Sequence, residues 1–448
     1  MHLTAKTDTQ KSDWRAKISI LYKLLVILLT LKSYLCGMIP KKKIHKTVDK
    51  KTLLKEVFKT LQYIFVDGNF MDKALEKTMR NNKKWKVRER SFVAETTYDL
   101  VRNWRLILTC ADTKDELSDK NWKTIYGTWL VIKGEELPES PEYKNCNEPK
   151  IISLLKKYEH IRKIWESYPD WLDQRCEKEL GAAQWNKLAP ALNHPAAMVL
   201  RANLLKTTPA QLQTNLAEVG IETELLSWAP DALQLKFSRN VFRYEAFKNG
   251  WFEVQDPASQ MVADFLQVKP GMRVIDACAG AGGKTLHLAA IMKNKGNIIA
   301  LDTKEFKLAE LKKRAKRAGV AIVECRHIDS TKVTKRLKDS ADRLLLDVPC
   351  SGLGVLRRNP DTKWILKPIE IDQVIQTQRE ILERFSPITK VGGLMVYATC
   401  SILPSEGKEQ INWFLQQHEE WSLEGEKNYS PLNFDCDGFY MALLKRNK

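Results

Sequence analysis

A chain of 448 residues exceeds one ordinary domain and predicts two or three, each long enough to bury its own core. Its 44% hydrophobic and 29% charged residues, without Gly/Ser-rich, Pro-rich or repeated segments, exclude collagen-like, low-complexity and solenoid classes. The formal charge of +18 favours a polyanionic partner, because a lysine or arginine set against a phosphate attracts it and releases a condensed counterion; a merely solubilising basic surface is the alternative reading of charge alone. Nine scattered cysteines, with no C-x-x-C spacing and no nearby histidine group, argue against a zinc site or any other metal and against a disulfide framework, and imply a reducing, cytoplasmic setting.

In chain order, the first 38 residues stand apart. Ile18 to Leu31 is apolar and follows Lys11, Arg15 and Lys17 in the outline of a secretory leader, yet its 14 residues fall short of a membrane span. Met38 as the true start, with residues 1–37 an extension outside the fold, is the other reading, and neither predicts stable membrane association. From 39 to 165 the pattern is helical: Leu53, Leu54, Val57, Leu61 and Ile64, then Val93, Thr97, Leu100 and Val101, then Ile151, Leu154, Leu155 and Tyr158 recur at spacings of three and four. The basic run 81–90, with Trp85 in its middle, suits RNA phosphates and a stacking ring, or equally a solvated helix entry. From 166 to 248 a helix around Trp185, a strand at 198–203, a helix at 209–219 and strands near 221–226 and 233–237 make a small α/β module, a type that often presents its sheet to RNA.

Beyond 249 short apolar strands alternate with amphipathic helices, which predicts a doubly wound, Rossmann-like α/β domain over 249–448 with strands at 274–277, 298–301, 321–325, 343–346, 394–398 and 439–444. In such sheets ligands bind at the carboxyl ends of the strands, where the motifs fall. Asp276, Ala277, Cys278, Ala279, Gly280, Ala281, Gly282, Gly283 and Lys284 form a strand end, a glycine turn and a helix start. A triphosphate-binding loop would need glycine at position 278, where cysteine stands; the turn fits better under the carboxylate and adenosine of S-adenosylmethionine. Asp302 ends the next strand, placed to accept from ribose hydroxyls, and Asp329 follows the third, facing an adenine edge. Each acid alone could be a helix cap, but three at successive strand ends point to a cofactor.

Two further strand ends carry thiols: Asp347-Val348-Pro349-Cys350-Ser351-Gly352 and Thr399-Cys400-Ser401. A lone cysteine is most often an inert core residue. A pair beside a methyl-donor site matches a specific need, because carbon 5 of cytosine becomes nucleophilic only after a thiolate adds to carbon 6, and a base must then remove the carbon-5 proton.

With Val254-Gln255-Asp256-Pro257-Ala258-Ser259-Gln260, the Asp276 to Thr285 loop, Asp347 to Asp361 and Thr399 to Glu406, the chain resembles the RsmB/Nop/Sun family of RNA 5-methylcytosine methyltransferases over its last 200 residues. The resemblance implies Cys400 as nucleophile, Cys350 as the residue assisting release, Asp347 on the cytosine, Lys284 near methyl donor and base, and Asp302 and Asp329 on the cofactor. It also implies a helical, NusB-like RNA-binding domain and a small RRM-like module ahead of the catalytic domain, and ribosomal RNA of the small subunit as substrate ahead of transfer RNA; a monomer is the default expectation. One departure is Gly280-Ala281, where many members carry Ala-Pro. Competing readings are a DNA cytosine-5 methyltransferase attacking through Cys350, which leaves Cys400 without a task, and an RNA-binding assembly factor with a vestigial cofactor site.

Overall fold

The computed structural model describes residues 48–113, 117, 121–329 and 332–448. The apolar segment 18–31 and Met38 lie outside them. The leucine spacings fold as helices Lys50–Phe65, Val87–Arg102 and Glu148–Tyr158, the first burying Leu53, Leu54, Val57, Leu61 and Ile64 along one face. Helices Met71–Asn81, Trp104–Ala111 and Trp122–Ile132 pack with them. The basic run 81–90 is a helix end, a turn and the next helix start, where the Glu89 side chain accepts from the Lys86 amide at 3.0 Å. Trp85 is only 8% exposed, so its ring belongs to the core and is not free to stack on a base. Among the described residues no helix is long and apolar enough to cross a membrane.

Two helices, Asp170–Leu180 and Ala182–Leu192, lead into a four-stranded antiparallel sheet: β1 (Val199–Ala202), β2 (Thr223–Leu226), β3 (Ala229–Leu235) and β4 (Phe252–Val254), in the order β2-β3-β1-β4. The β-α-β-β order is as expected, but β4 lies beyond residue 248, so this sheet is completed by residues that the sequence pattern assigns to the catalytic domain. All of β1 is buried. Leu200 and Ala202 pack on Leu212 and Leu216 of the module's helix Pro209–Glu218, while Val199, Ala229 and Ala232 pack on Met261 of helix Pro257–Phe265. β1 is thus packed on both sides, with the charged side chains of Arg201, Asp231 and Glu253 buried in the sheet, whereas Glu224 and Leu225 of the edge strand β2 are exposed, so the sheet opens to solvent at that edge and not over β1.

The C-terminal sheet contains β5 (Arg273–Asp276), β6 (Asn297–Asp302), β7 (Val323–His327), β8 (Ala341–Asp347), β9 (Thr389–Thr399), β10 (Trp421–Tyr429) and β11 (Phe439–Arg446), in the order β10-β11-β9-β8-β5-β6-β7. β5 to β9 run parallel, as the alternation with helices predicts. β11 pairs antiparallel with β9 and β10 with β11, so the sheet is mixed rather than wholly parallel. Alternate residues feed two cores, Ile275, Leu344, Leu346, Met395 and Tyr397 on one face and Val274, Leu345, Val396 and Ala398 on the other. The direction of winding reverses between β5 and β8, and there the carboxyl ends of two neighbouring strands open a crevice.

The segment after Cys350 ties this sheet to the N-terminal helices. Asp361 accepts from the amide of Met71 at 2.9 Å and so caps helix Met71–Asn81. The Arg102 guanidinium donates to the carbonyls of Leu356 and Arg357, and the Trp364 indole to that of Val101. Lys363, 1% exposed, donates to the carbonyls of Arg102 and Glu166 and to Asn193 Oδ1, at 2.7, 3.3 and 2.9 Å. Removing this ammonium orphans three buried acceptors. Lys363→Ala should therefore lower stability by about 3 kcal/mol in urea unfolding, whereas Lys248→Ala, at an exposed ion pair, should change it by less than about 0.5 kcal/mol.

Candidate active site

The glycine turn between β5 and helix Gly283–Ile291 is held at both ends. The Ala277 and Ala279 amides donate to the carbonyls of Leu345 and Leu301, stitching the turn to β8 and β6, and Asp276 accepts from the Thr285 hydroxyl at 2.7 Å. Burial pushes the Asp276 carboxyl up to about 7, with that hydroxyl opposing the shift. Gly280 and Gly282 have φ of +55° and +86°. A Cβ at Gly282 would stand 2.5 Å from Leu311, which explains a glycine that packs the turn onto helix Glu305–Ala318. A Cβ at Gly280 would meet nothing within 4 Å, so that side of the turn is open.

The opening is a cavity of about 710 Å³ at the β5/β8 reversal. Asp276 to Ala281, Gly283, Lys284, Asp302 and Asp347 line it, as do Ile328, Val348, Ile381 and Phe385, which the sequence reading did not single out. Asp302 accepts from the amides of Gly280 and Lys304 at 2.9 and 2.7 Å, so it anchors the turn and the following helix start while facing the cavity. Gly282 does not line the cavity. Neither does Asp329, which is exposed two residues beyond β7; its neighbour Ile328 takes the place on the wall. A carboxylate beside a glycine turn, a helix start and an apolar wall fit the ribose hydroxyls, amino-acid end and adenine of S-adenosylmethionine.

Lys284 sits in the first turn of its helix, where the macrodipole disfavours a cation. It is held there by Asp347 at the end of β8, 2.7 Å from Nζ to Oδ2, and by the Phe439 ring 5.1 Å away. The register of β8 on β9 pairs Asp347 with Ala398, so both strands end level and their turns emerge side by side. Cys350 Sγ and Cys400 Sγ lie 3.2 Å apart, both half-buried and free. The Cys400 contact, then burial, then the Glu406 carboxylate push the Cys350 thiol well above its usual range. The cavity reaches Pro349, the residue before Cys350. Burial pushes the Cys278 thiol up as well, as suits a wall residue.

Support for the cofactor turn comes from the small module, which no sequence pattern indicated. Arg201 of β1 donates to the Gly283 carbonyl at 2.5 Å and to Gln255. Glu253 of β4 pairs with Arg314 and Arg317 at 3.0 and 2.5 Å, and Arg314 in turn donates to the Ala281 carbonyl at 2.8 Å. Partners 33 to 82 residues apart leave no local signal. Loss of the Glu253 charge should loosen the turn: Glu253→Gln is expected to weaken S-adenosylmethionine binding about tenfold by calorimetry, at near-unchanged RNA affinity.

Comparison with known proteins agrees with this architecture. A family model described as 16S rRNA methyltransferase RsmB/F matches residues 263–445, and one for the ferredoxin-like domain of RsmF/B-like methyltransferases matches 168–242. A probable ribosomal RNA small subunit methyltransferase B of Synechocystis sp. is 35% identical over 321 residues, covering 68% of this chain and 70% of that protein. The ribosomal RNA small subunit methyltransferase B of Yersinia enterocolitica is 37% identical over 291 residues, 62% and 66% of the two chains. The crystal structure of PH0851 superposes with a TM-score of 0.72 at 26% identity over 90% of this chain and 100% of that one. A methyltransferase homologue from Pyrococcus horikoshii gives 0.57 at 25% identity, over 64% and 97%. Two of its domains match the family models and it is 35% identical to a relative of which it covers 70%, so the chain belongs to the RsmB/F family of S-adenosylmethionine-dependent methyltransferases.

Proposed function

We propose that the protein methylates carbon 5 of a cytosine in small-subunit ribosomal RNA through a covalent cysteine adduct. The observation that carries this reading is the pair of free thiols, 3.2 Å apart at adjacent strand ends beside the cofactor crevice. Cytosine carbon 5 needs a nucleophile and a base in turn, and one turn supplies each.

Cys400 attacks. After giving up its proton to solvent, it forms the Sγ–C6 bond as thiolate, and the displaced π pair makes carbon 5 nucleophilic, its charge shared with the N3–C4 end of the ring. Asp347 orients that end by accepting from the exocyclic amino group, and Lys284, paired to Asp347, sets a cation beside base and methyl donor. When bound in the crevice, S-adenosylmethionine supplies the electrophilic methyl group that carbon 5 takes. Cys350, having lost its own proton to solvent once Cys400 is tied up in the adduct, then removes the carbon-5 proton as thiolate; the C5=C6 bond re-forms, the Sγ–C6 bond breaks and Cys400 leaves as thiolate. Asp276 and Asp302 hold the cofactor turn, and Asp302 accepts from the ribose hydroxyls. Asp329, off the cavity wall, contributes to cofactor binding only by way of its neighbour Ile328.

The basic helical domain and the net charge of +18 suit a large structured RNA, and the names of the relatives favour small-subunit ribosomal RNA over transfer RNA. Bisulfite sequencing of total RNA from a strain lacking the gene should show one or more unmethylated cytosines in small-subunit ribosomal RNA; loss confined to transfer RNA would refute the substrate. With RNA containing 5-fluorocytosine, whose carbon-5 substituent cannot leave as a proton, the wild type should form a denaturant-stable adduct and Cys400→Ala should not. With ordinary RNA, Cys350→Ala should accumulate the adduct that the wild type releases. An adduct formed by Cys400→Ala would reverse the assignment of the two thiols.

A further inference from the structure

Each of the two cysteines is followed by serine, and the two-thiol reaction has no step for a hydroxyl at either place. In the fold the two serines do the same thing. Ser351 Oγ accepts from the Leu353 amide at 3.4 Å and Ser401 Oγ from the Leu403 amide at 3.2 Å, so each Cys-Ser-x-Leu turn is closed by its own serine on the amide two residues ahead. Leu353 and Leu403, each three residues past its cysteine, enter one apolar cluster against helices Asp170–Leu180 and Ala182–Leu192. The turns are also joined directly, the Gly354 amide donating to the Cys400 carbonyl at 2.9 Å.

Both serine hydroxyls then donate to a single carboxylate oxygen, Glu406 Oε1, at 2.5 and 2.6 Å. The other oxygen accepts from the Ser351 amide at 2.7 Å and from Gln378 Nε2 at 3.2 Å, and Gln378 also donates to the Pro349 carbonyl at 2.9 Å. Glu406 is 0% exposed, and its backbone is fixed by the Tyr397 hydroxyl donating to its carbonyl at 2.8 Å. Burying a carboxylate among hydrogen-bond donors costs far more than an apolar residue of the same size, so convergence of four donors on this one marks a constraint that packing alone does not require.

We propose that Glu406 is the positioning residue of the thiol pair: through Ser351 and Ser401 it fixes the Cys350–Cys400 separation, and with it the passage from attack to release. The proposal rests on the roles assigned to the two thiols above. Attack needs Cys400 placed against carbon 6 alone, whereas release needs both sulfurs in register on adjacent carbons of one ring. Release is therefore the step that a slackened clamp slows most, as a displacement of about 1 Å is enough to cost about 100-fold in rate.

The test is Glu406→Gln, which keeps the shape and removes the charge, assayed with unmodified RNA. The expected result is kcat lower by about 100-fold with KM for RNA and for S-adenosylmethionine within about threefold, and the covalent adduct accumulating as in Cys350→Ala. The double variant S351A/S401A, which keeps the carboxylate, should give the same phenotype, and adding Glu406→Gln to it should cost little more, because all three side chains act as one unit. Turnover of Glu406→Gln within about threefold of wild type, a defect confined to KM, or fully multiplicative effects of carboxylate and serines would each overturn the proposal. Should Glu406→Gln fail to fold, as judged by its melting temperature, the serine variant decides alone: adduct accumulation supports the clamp and normal release refutes it. A wild-type enzyme that forms no adduct with 5-fluorocytosine RNA removes the thiol chemistry and the proposal with it, and is told apart because the failure appears without any substitution.

Discussion

The site depends on one constraint of the sheet, that β8 runs parallel to β9 with Asp347 level with Ala398. Parallel neighbours lie about 4.8 Å apart and release their chains at the same edge, so residues two and three positions past the paired ends arrive together. An antiparallel pairing would put the thiols at opposite edges. β8 also has β5 on its other side, which makes it the strand shared by two half-sites: Asp347 turns to the cofactor crevice and Lys284, and the chain three residues later delivers Cys350 to Cys400. Cofactor and thiols are brought to one place by strand order alone, before any side chain is chosen.

Strand order sets positions only to within the slack of the turns, and the remaining precision comes from outside the sheet. The cofactor turn is held from below by the module, through Arg201, Glu253 and Arg314, and the thiol turns are held by helices Asp170–Leu180 and Ala182–Leu192 over Leu353 and Leu403. Turn backbone buried in this way needs a partner for every amide and carbonyl, and these arginines and the Glu406 carboxylate provide them. β1 of the module, which carries Arg201 to the turn, is buried along its whole length for the same reason.

What the sequence made legible follows from the range of the interactions involved. Apolar strands buried on both faces, such as β5, β6 and β8, announce themselves as short hydrophobic runs, and their ends locate Asp276, Asp302, Asp347 and both thiols without further information. β10 escaped because it is an edge strand with residues such as Glu424, Glu426 and Lys427 exposed, and β4 because three residues carry no period. The run around Trp85 stayed open between an RNA-stacking segment and a helix entry because composition does not report burial. The division of labour between Cys400 and Cys350 came from family resemblance, since their sequence environments are nearly alike. The supporting residues were invisible for a simpler reason: Arg102 meets Arg357 across 255 positions and Arg201 meets Gly283 across 82, and no local pattern encodes such a pair.

The stretch from Cys350 to Trp364 shows how these levels meet in one segment. Ser351 is clamped by Glu406, Leu353 and Leu356 enter the core beneath the module's helices, and Arg358 pairs with Asp256 and Asp437. Asp361 then caps helix Met71–Asn81, and Lys363 closes on the Arg102 carbonyl. So anchored, the segment joins the cysteine turn to the N-terminal helices, and that gives a physical reason for it to carry Arg357, Arg358, Asp361 and Lys363, each of which meets a partner outside the segment.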